Sequence, residues 1–208
     1  MMAVILLFLS GVAALLYQTL WAKQLALIVG VDVYAVTTAV SAFFAGLALG
    51  GALFGRRADR AERPLRLFAM LEAGTGLLAL ATTLVLAHAA RTFVALETTA
   101  VPLAWALLFA MIGLPALLMG GTLPALVRAV APAEGTVARA SGRLYAANTG
   151  GAIAGALAAA FVLIPLLGIR GAAVAAATLN LIVAALAIAA DRRRQPRVVL
   201  AAAAAQPT

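Results

Sequence analysis

Apolar residues fall in six long blocks along this chain, about 2–29, 33–55, 65–88, 101–127, 144–167 and 171–190, with short polar connections between them. Crossing the hydrocarbon core of a bilayer takes a helix of about 20 residues, and each block meets that length. The first and fourth have residues to spare. Pro115 and Pro124 interrupt the fourth and predict a kink or an early end there. The first block has no basic leader and no short apolar run followed by a small-residue cleavage site, so a retained helix is expected. The pattern predicts an all-α polytopic membrane protein, with a six-helix transmembrane domain over 1–190 and a basic tail over 191–208.

Composition narrows the class further. Of the 208 residues, 65% are hydrophobic and 11% charged, with a mean hydropathy of +1.10. A soluble domain carries roughly 25% charged residues, so an ordinary cytosolic globule is excluded, as are a disordered chain and a collagen-like fibre. Cys is absent, which removes disulfides, thiolate metal sites and Cys nucleophiles. With His88 the only histidine, no site can use two. No metal, no cofactor and no enzymatic activity are expected, because no nucleophile–base pair, metal cluster or cofactor motif stands out.

The net charge of +8 becomes informative once the charges are placed. Arg56, Arg57, Arg60, Arg63 and Arg66 lie between the second and third blocks, and Arg128, Arg139 and Arg143 between the fourth and fifth. Arg192, Arg193, Arg194 and Arg197 lie in the tail. These are twelve of the fifteen Lys and Arg residues; only Lys23, Arg91 and Arg170 fall on the other side. The positive-inside rule then predicts a multi-pass protein of the cell inner membrane with both termini cytoplasmic, and an even number of spans gives the same parity. The basic balance reports orientation in a lipid bilayer, and no nucleic-acid partner is expected.

Glycines mark two blocks. The second carries Gly46, Gly50, Gly51 and Gly55, and the fifth carries Gly150, Gly151 and Gly155. The steps Gly46/Gly50, Gly51/Gly55 and Gly151/Gly155 have the spacing that lets helix backbones approach closely. Helices 2 and 5 are equivalent in a three-plus-three arrangement with an inverted second half, a common transporter architecture.

The candidate chemistry is sparse. Glu72 is the sole acid well inside an apolar block, and an ionisable residue there is a functional candidate by default. It could meet a cation, take a proton or pair with Arg143. Tyr17, Gln18 and Trp21 cluster on about one turn of the first helix, and Tyr145 and Asn148 sit near the start of the fifth. Such polar groups are expected to face the bundle interior, as hydrogen-bonding or substrate-contacting residues. Asp32 fits a helix cap at the outer mouth, and His88 a solvated position at the outer interface.

The connection Gly55-Arg56-Arg57-Ala58-Asp59-Arg60-Ala61-Glu62-Arg63-Pro64 resembles the G-x-x-x-D-R-x-G-R-R loop of the major facilitator superfamily. Gly55, Asp59, Arg60 and Arg63 match, whereas Glu62 and Pro64 depart from the pattern. The resemblance implies a conformational loop whose charges hold one access state. A resemblance over most of the chain is to the membrane part of the fused facilitator/spermidine synthase-like family. It rests on Ser10-Gly11, Ala14-Leu15-Leu16-Tyr17-Gln18, Trp21, Phe44 to Gly50, the run 63–67, Glu72, Leu118 to Pro124, Gly142 to Thr149 and Pro165 to Gly168. The soluble synthase-like domain of longer members has no counterpart in these 208 residues, so its catalytic residues cannot be carried over and no aminopropyl transfer is expected.

These features imply a half-size facilitator-like transporter or exporter of a small metabolite, cationic if Glu72 meets it, with a homodimer as the natural complete unit. The alternative is a non-catalytic membrane anchor or accessory subunit of a larger complex or of a separate spermidine synthase-like protein. The topology has a direct check. In this Cys-free chain, Glu62→Cys should resist an impermeant thiol reagent added outside intact cells and react after permeabilisation; labelling from outside would reverse the orientation.

Overall fold

The computed structural model describes residues 1–131 and 134–204, with side chains described outside 132–136 and 194–208. It is helical throughout, with no strand among the described residues. The helices are α1 (Met2–Val29), α2 (Asp32–Asp59), α3 (Pro64–Leu86), α4 (Ala90–Thr99), α5 (Val101–Gly120), α6 (Thr122–Val130), α7 (Glu134–Ala158) and α8 (Ile164–Ala204), with a π-helical turn at Ala159–Leu163 joining the last two. Five stretches are long and apolar enough to cross a membrane: Met2–Val29, Asp32–Asp59, Pro64–Leu86, Val101–Val130 and Val137–Arg193.

Local sequence explains the breaks. Gly30 ends α1 in the left-handed conformation with φ 76°, and its N–H is bonded to the Ala26 carbonyl. Pro64 opens α3, where its missing N–H costs nothing. α5 and α6 form one rod jointed at Gly121. A Cβ at Gly121 would press on Phe54 Cβ at 2.6 Å and Leu71 Cδ1 at 2.9 Å. The longest stretch is broken at Gly168, with φ 66° and ψ 179°, a backbone region open essentially only to glycine. Its approach is already irregular. The π turn immediately precedes Pro165, which lacks an N–H and crowds the preceding carbonyls.

Several boundaries differ from the hydropathy blocks. α4 is a separate short helix within the 87–100 connection, too short and too mixed (Arg91, Glu97) to register as an apolar block. α3 ends at Leu86 rather than 88, and the fourth stretch runs to Val130. α7 begins about ten residues before the fifth apolar block, because Arg139 and Arg143 extend the helix on exposed positions.

Three pairings organise the bundle: α1 lies along α7, α2 along α5, and α3 along α8. Two buried clusters divide it by depth. One joins Leu6 and Leu7 of α1, Ala58, Leu65, Ala125, Leu126, Leu144 and Ala187. The other joins Leu25, Ala35, Leu86, Phe93, Ala104, Ala159 and Ala172. The first cluster gathers the start of α1, the α2–α3 turn, the end of α6, the start of α7 and the far part of α8 at one end of the bundle. The three basic segments flank those elements. Outward positions are apolar: Phe44, Leu77, Phe161 and Leu166 are each more than 60% exposed. An apolar periphery this extensive is foreign to soluble monomers and suits contact with lipid.

The glycines of α2 and α7 work as close-packing residues, but the two sets do not face each other. Gly46 and Gly50 of α2 face α5. A Cβ at Gly46 would lie 2.5 Å from the Gly113 carbonyl oxygen, and one at Gly50 would collide with the Leu117 carbonyl. Gly151 and Gly155 of α7 sit on the Phe8 and Val12 carbonyls of α1 in the same way. Gly51 has ordinary clearance, with Gly120 O at 3.7 Å, and Gly55 has open space around it. Gly50→Leu should therefore force α2 off α5, and even Gly50→Ala should lose about 1–3 kcal/mol of stability through overpacking. Gly55→Ala should be neutral or slightly stabilising, since Ala is the better helix former. Thermal unfolding in detergent checks the pair; equal midpoints for Gly50→Ala and Gly55→Ala would contradict the packing.

Candidate functional site

One seam, between α1, α3 and α8, carries most of the buried polar side chains. On α1 these are Ser10, Tyr17, Trp21 and Gln24, whose spacing keeps them on one helix face. On α3 they are Glu72, Thr75 and Thr83, and on α8 Asn180. All are at least nine-tenths buried. Apolar residues fill most of the remaining positions, so these groups find hydrogen bonds in one another and in nearby backbone carbonyls.

Glu72 is the centre of the seam. It lies eight residues into α3, about 12 Å along the axis from Pro64 at 1.5 Å per residue, and none of its surface is exposed. The Ser10 hydroxyl donates to Oε1 at 2.5 Å, and the Asn180 amide donates to Oε2 at 2.7 Å. Both donors are neutral, and no basic side chain is bonded to Glu72 among the described residues. Arg143, a basic residue that could have paired with it, is exposed on α7. The carboxylate thus ties three helices together without an ion pair. Because a carboxylate only accepts, it fixes the Asn180 amide with the nitrogen towards it, leaving Oδ1 without a partner. Thr75 Oγ1, one turn from Glu72, is also buried and unpartnered.

Further along the seam, the Tyr17 hydroxyl lies 3.4 Å from the carbonyl oxygens of both Gly76 and Ala173, again bridging α1, α3 and α8. Tyr17 stacks on Trp21, with ring centroids 5.5 Å apart and planes 19° from parallel. Trp21 Nε1 donates to Thr83 Oγ1 at 3.1 Å, and that hydroxyl donates to the Ala79 carbonyl at 2.9 Å. Gln24 Nε2 donates to the Thr83 carbonyl at 2.9 Å, and its Oε1 is unpartnered. Gln24 also lines a cavity of about 250 Å³ with Leu27, Ile28, Leu86, Ile169 and Arg170. A larger apolar groove, about 580 Å³, lies between the end of α3, α4 and α5 and is lined by Phe93, Leu96, Leu108 and His88 among others.

Of the candidates read from sequence, Tyr17, Trp21 and Glu72 converge on this seam. Gln18 is half-buried beside it, and Asn148 is half-buried with its backbone and side chain close to Gly11 on α1. Tyr145 is 62% exposed and stands apart from both. Asp59 and Arg60, at the end of α2, are exposed and their side chains make no hydrogen bond or ion pair among the described residues; Arg63 is exposed at the start of α3. His88 is exposed and hydrogen-bonded to the Leu84 carbonyl at 3.0 Å. Sequence reasoning missed Asn180, Gln24, Thr75 and Thr83, and did not single out Ser10 as a site residue. Asn180 had a usable signal, a lone amide in an otherwise apolar block.

Comparisons with protein-family models, with curated proteins and with solved structures gave no match. The reading of the site therefore rests on its geometry. The Trp21–Thr83 contact gives a structural test. Thr83→Val should strand the indole N–H and cost about 1–3 kcal/mol, and adding Trp21→Phe should recover part of that loss. Additive losses in the double variant would show that the two side chains are not bonded.

Proposed function

We propose that the chain is a half-size, facilitator-like carrier of a small cationic solute, with Glu72 as its charge-handling group. The observation that carries this reading is a fully buried carboxylate held between three helices by neutral donors alone. An anionic side chain deep in an apolar bundle is expensive. A merely structural polar contact could be made by an amide or a hydroxyl at far lower cost, whereas balancing a full positive charge in an apolar interior takes an acid.

The helix pairing supports the carrier architecture. Taking the 57-residue stretch as two crossings divided at Gly168 gives six spans, since its length of about 85 Å far exceeds a bilayer core of about 30 Å. The closest partners are then first with fifth, second with fourth and third with sixth. Exchanging the two halves, one for four, two for five and three for six, maps this set onto itself, as an inverted three-plus-three repeat requires. The glycine contacts obey the same exchange: span 2 sits on span 4 through Gly46 and Gly50, and span 5 on span 1 through Gly151 and Gly155. In this reading the basic end faces the cytoplasm of the inner membrane, the Gly55–Arg63 connection acts as the conformational loop, and two copies form the full carrier.

Reconstituted flux provides the test. In proteoliposomes, a panel of small organic cations, including polyamines and basic amino acids, should contain at least one that exchanges in a protein-dependent way. Glu72→Gln should abolish that exchange. It should leave the unfolding midpoint nearly unchanged, because glutamine can accept from Asn180 and donate to the Ser10 oxygen. Undiminished flux through Glu72→Gln would contradict the role of the carboxylate. Absence of flux together with a stoichiometric protein partner on gentle purification would favour the accessory-subunit reading.

A further inference from the structure

The seam contains more oxygen acceptors than its hydrogen bonds use. Glu72 presents two carboxylate oxygens, and Ser10 Oγ keeps free lone pairs after donating to one of them. Asn180 Oδ1 and Thr75 Oγ1 have no partner at all, although Asn180 is 1% exposed and Thr75 2%. These groups are neighbours. Asn180 touches Glu72 through its amide nitrogen at 2.7 Å, so its carbonyl, attached to the same carbon, is only a few ångströms from the carboxylate. Thr75 is three residues after Glu72 on the same helix face. A threonine inside a helix ordinarily returns its hydroxyl to a carbonyl of the preceding turn; Thr83 does so, and Thr75 does not. Buried polar atoms without partners call for an explanation.

We infer that Glu72, Ser10, Thr75 and Asn180 form a binding site for one small monovalent cation of the sodium class. The donor set is all oxygen, the chemistry of a hard cation. The single carboxylate balances one positive charge, and a divalent ion would leave net charge in an apolar interior. A proton on Glu72 would add one donor and could satisfy at most one of the two unmet acceptors, whereas a coordinated ion engages both. Space limits the ion's size. Across the seam Gly76 approaches Asn180 so closely that a Cβ on the glycine would lie 3.0 Å from Asn180 Cβ. Packing this tight between α3 and α8 favours an atom-sized ion over an organic ammonium group at this point.

This inference deepens the carrier reading and rests on it for its purpose: the ion would be the coupling ion, with the organic solute bound elsewhere along the path. The site itself can be tested without flux. Purified protein in detergent is titrated with sodium chloride at constant ionic strength and pH, with choline chloride making up the balance, and the unfolding midpoint is followed. Sodium and lithium should raise the midpoint by a few degrees in a saturable way, and potassium should do so less. Glu72→Gln should remove the response. Thr75→Val, which deletes an oxygen with no hydrogen bond to lose, should fold like the wild type and weaken the apparent sodium affinity at least about tenfold.

A response equal in choline, no response in any salt, or a sodium response that Thr75→Val leaves untouched would each overturn the site. The two readings fail separately. Glu72-dependent flux that ignores sodium, with no sodium shift in the midpoint, removes the ion site and keeps the carrier. A sodium shift in a protein that moves no solute keeps the site and removes the carrier.

Discussion

A carboxylate in an apolar bundle has to be met by hydrogen-bond donors, and because a helix spends its own backbone N–H groups internally those donors must be side chains; here they come from other helices. Glu72 imposes this requirement on α3. Ser10 answers it from α1 and Asn180 from α8, and the three helices are thereby fixed in rotation and in depth relative to one another. Once that register is set, Tyr17 falls against the carbonyls of Gly76 and Ala173, and Trp21 against Thr83. The rest of the seam reads as a consequence of one charged group placed about a third of the way along α3.

Close packing elsewhere serves the same end. Glycines let α2 settle on α5 and α7 on α1 with backbone-to-backbone clearance. These contacts contain few polar groups and gain their stability from shape. They leave most of the buried polar side chains to the seam between α1, α3 and α8, and many apolar side chains facing outward. The bundle thus separates structural contacts, made by small residues, from the contacts that could change with the charge on Glu72.

The sequence made the coarse architecture legible because hydropathy over about 20 residues is a strong signal. It also marked Glu72, since a lone acid in an apolar block is conspicuous, and Tyr17 and Trp21 beside Gln18. It did not disclose what Glu72 touches. Ser10 is 62 residues away and Asn180 is 108 residues away, and no local period links them. Arg143 was the electrostatically obvious partner, yet it stands on an exposed position of α7. Only spacing links Tyr145 and Asn148; three residues apart, they differ by enough rotation for one to be exposed and the other to pack near Gly11. α4 was invisible to hydropathy because ten residues with Arg91 and Glu97 among them make no apolar block.

The central claim is that Glu72 is kept for charge handling: its cluster sets the register of α1, α3 and α8 but adds no net stability. Replacing a buried polar cluster with well-packed apolar side chains is often neutral or stabilising, so the unfolding midpoint of the triple variant Ser10→Ala, Glu72→Leu, Asn180→Leu measures the claim directly. The account predicts a midpoint equal to or above that of the wild type, in a protein that has lost all solute exchange. A triple variant that unfolds well below the wild type would show that the cluster holds the bundle together and that its charge is incidental.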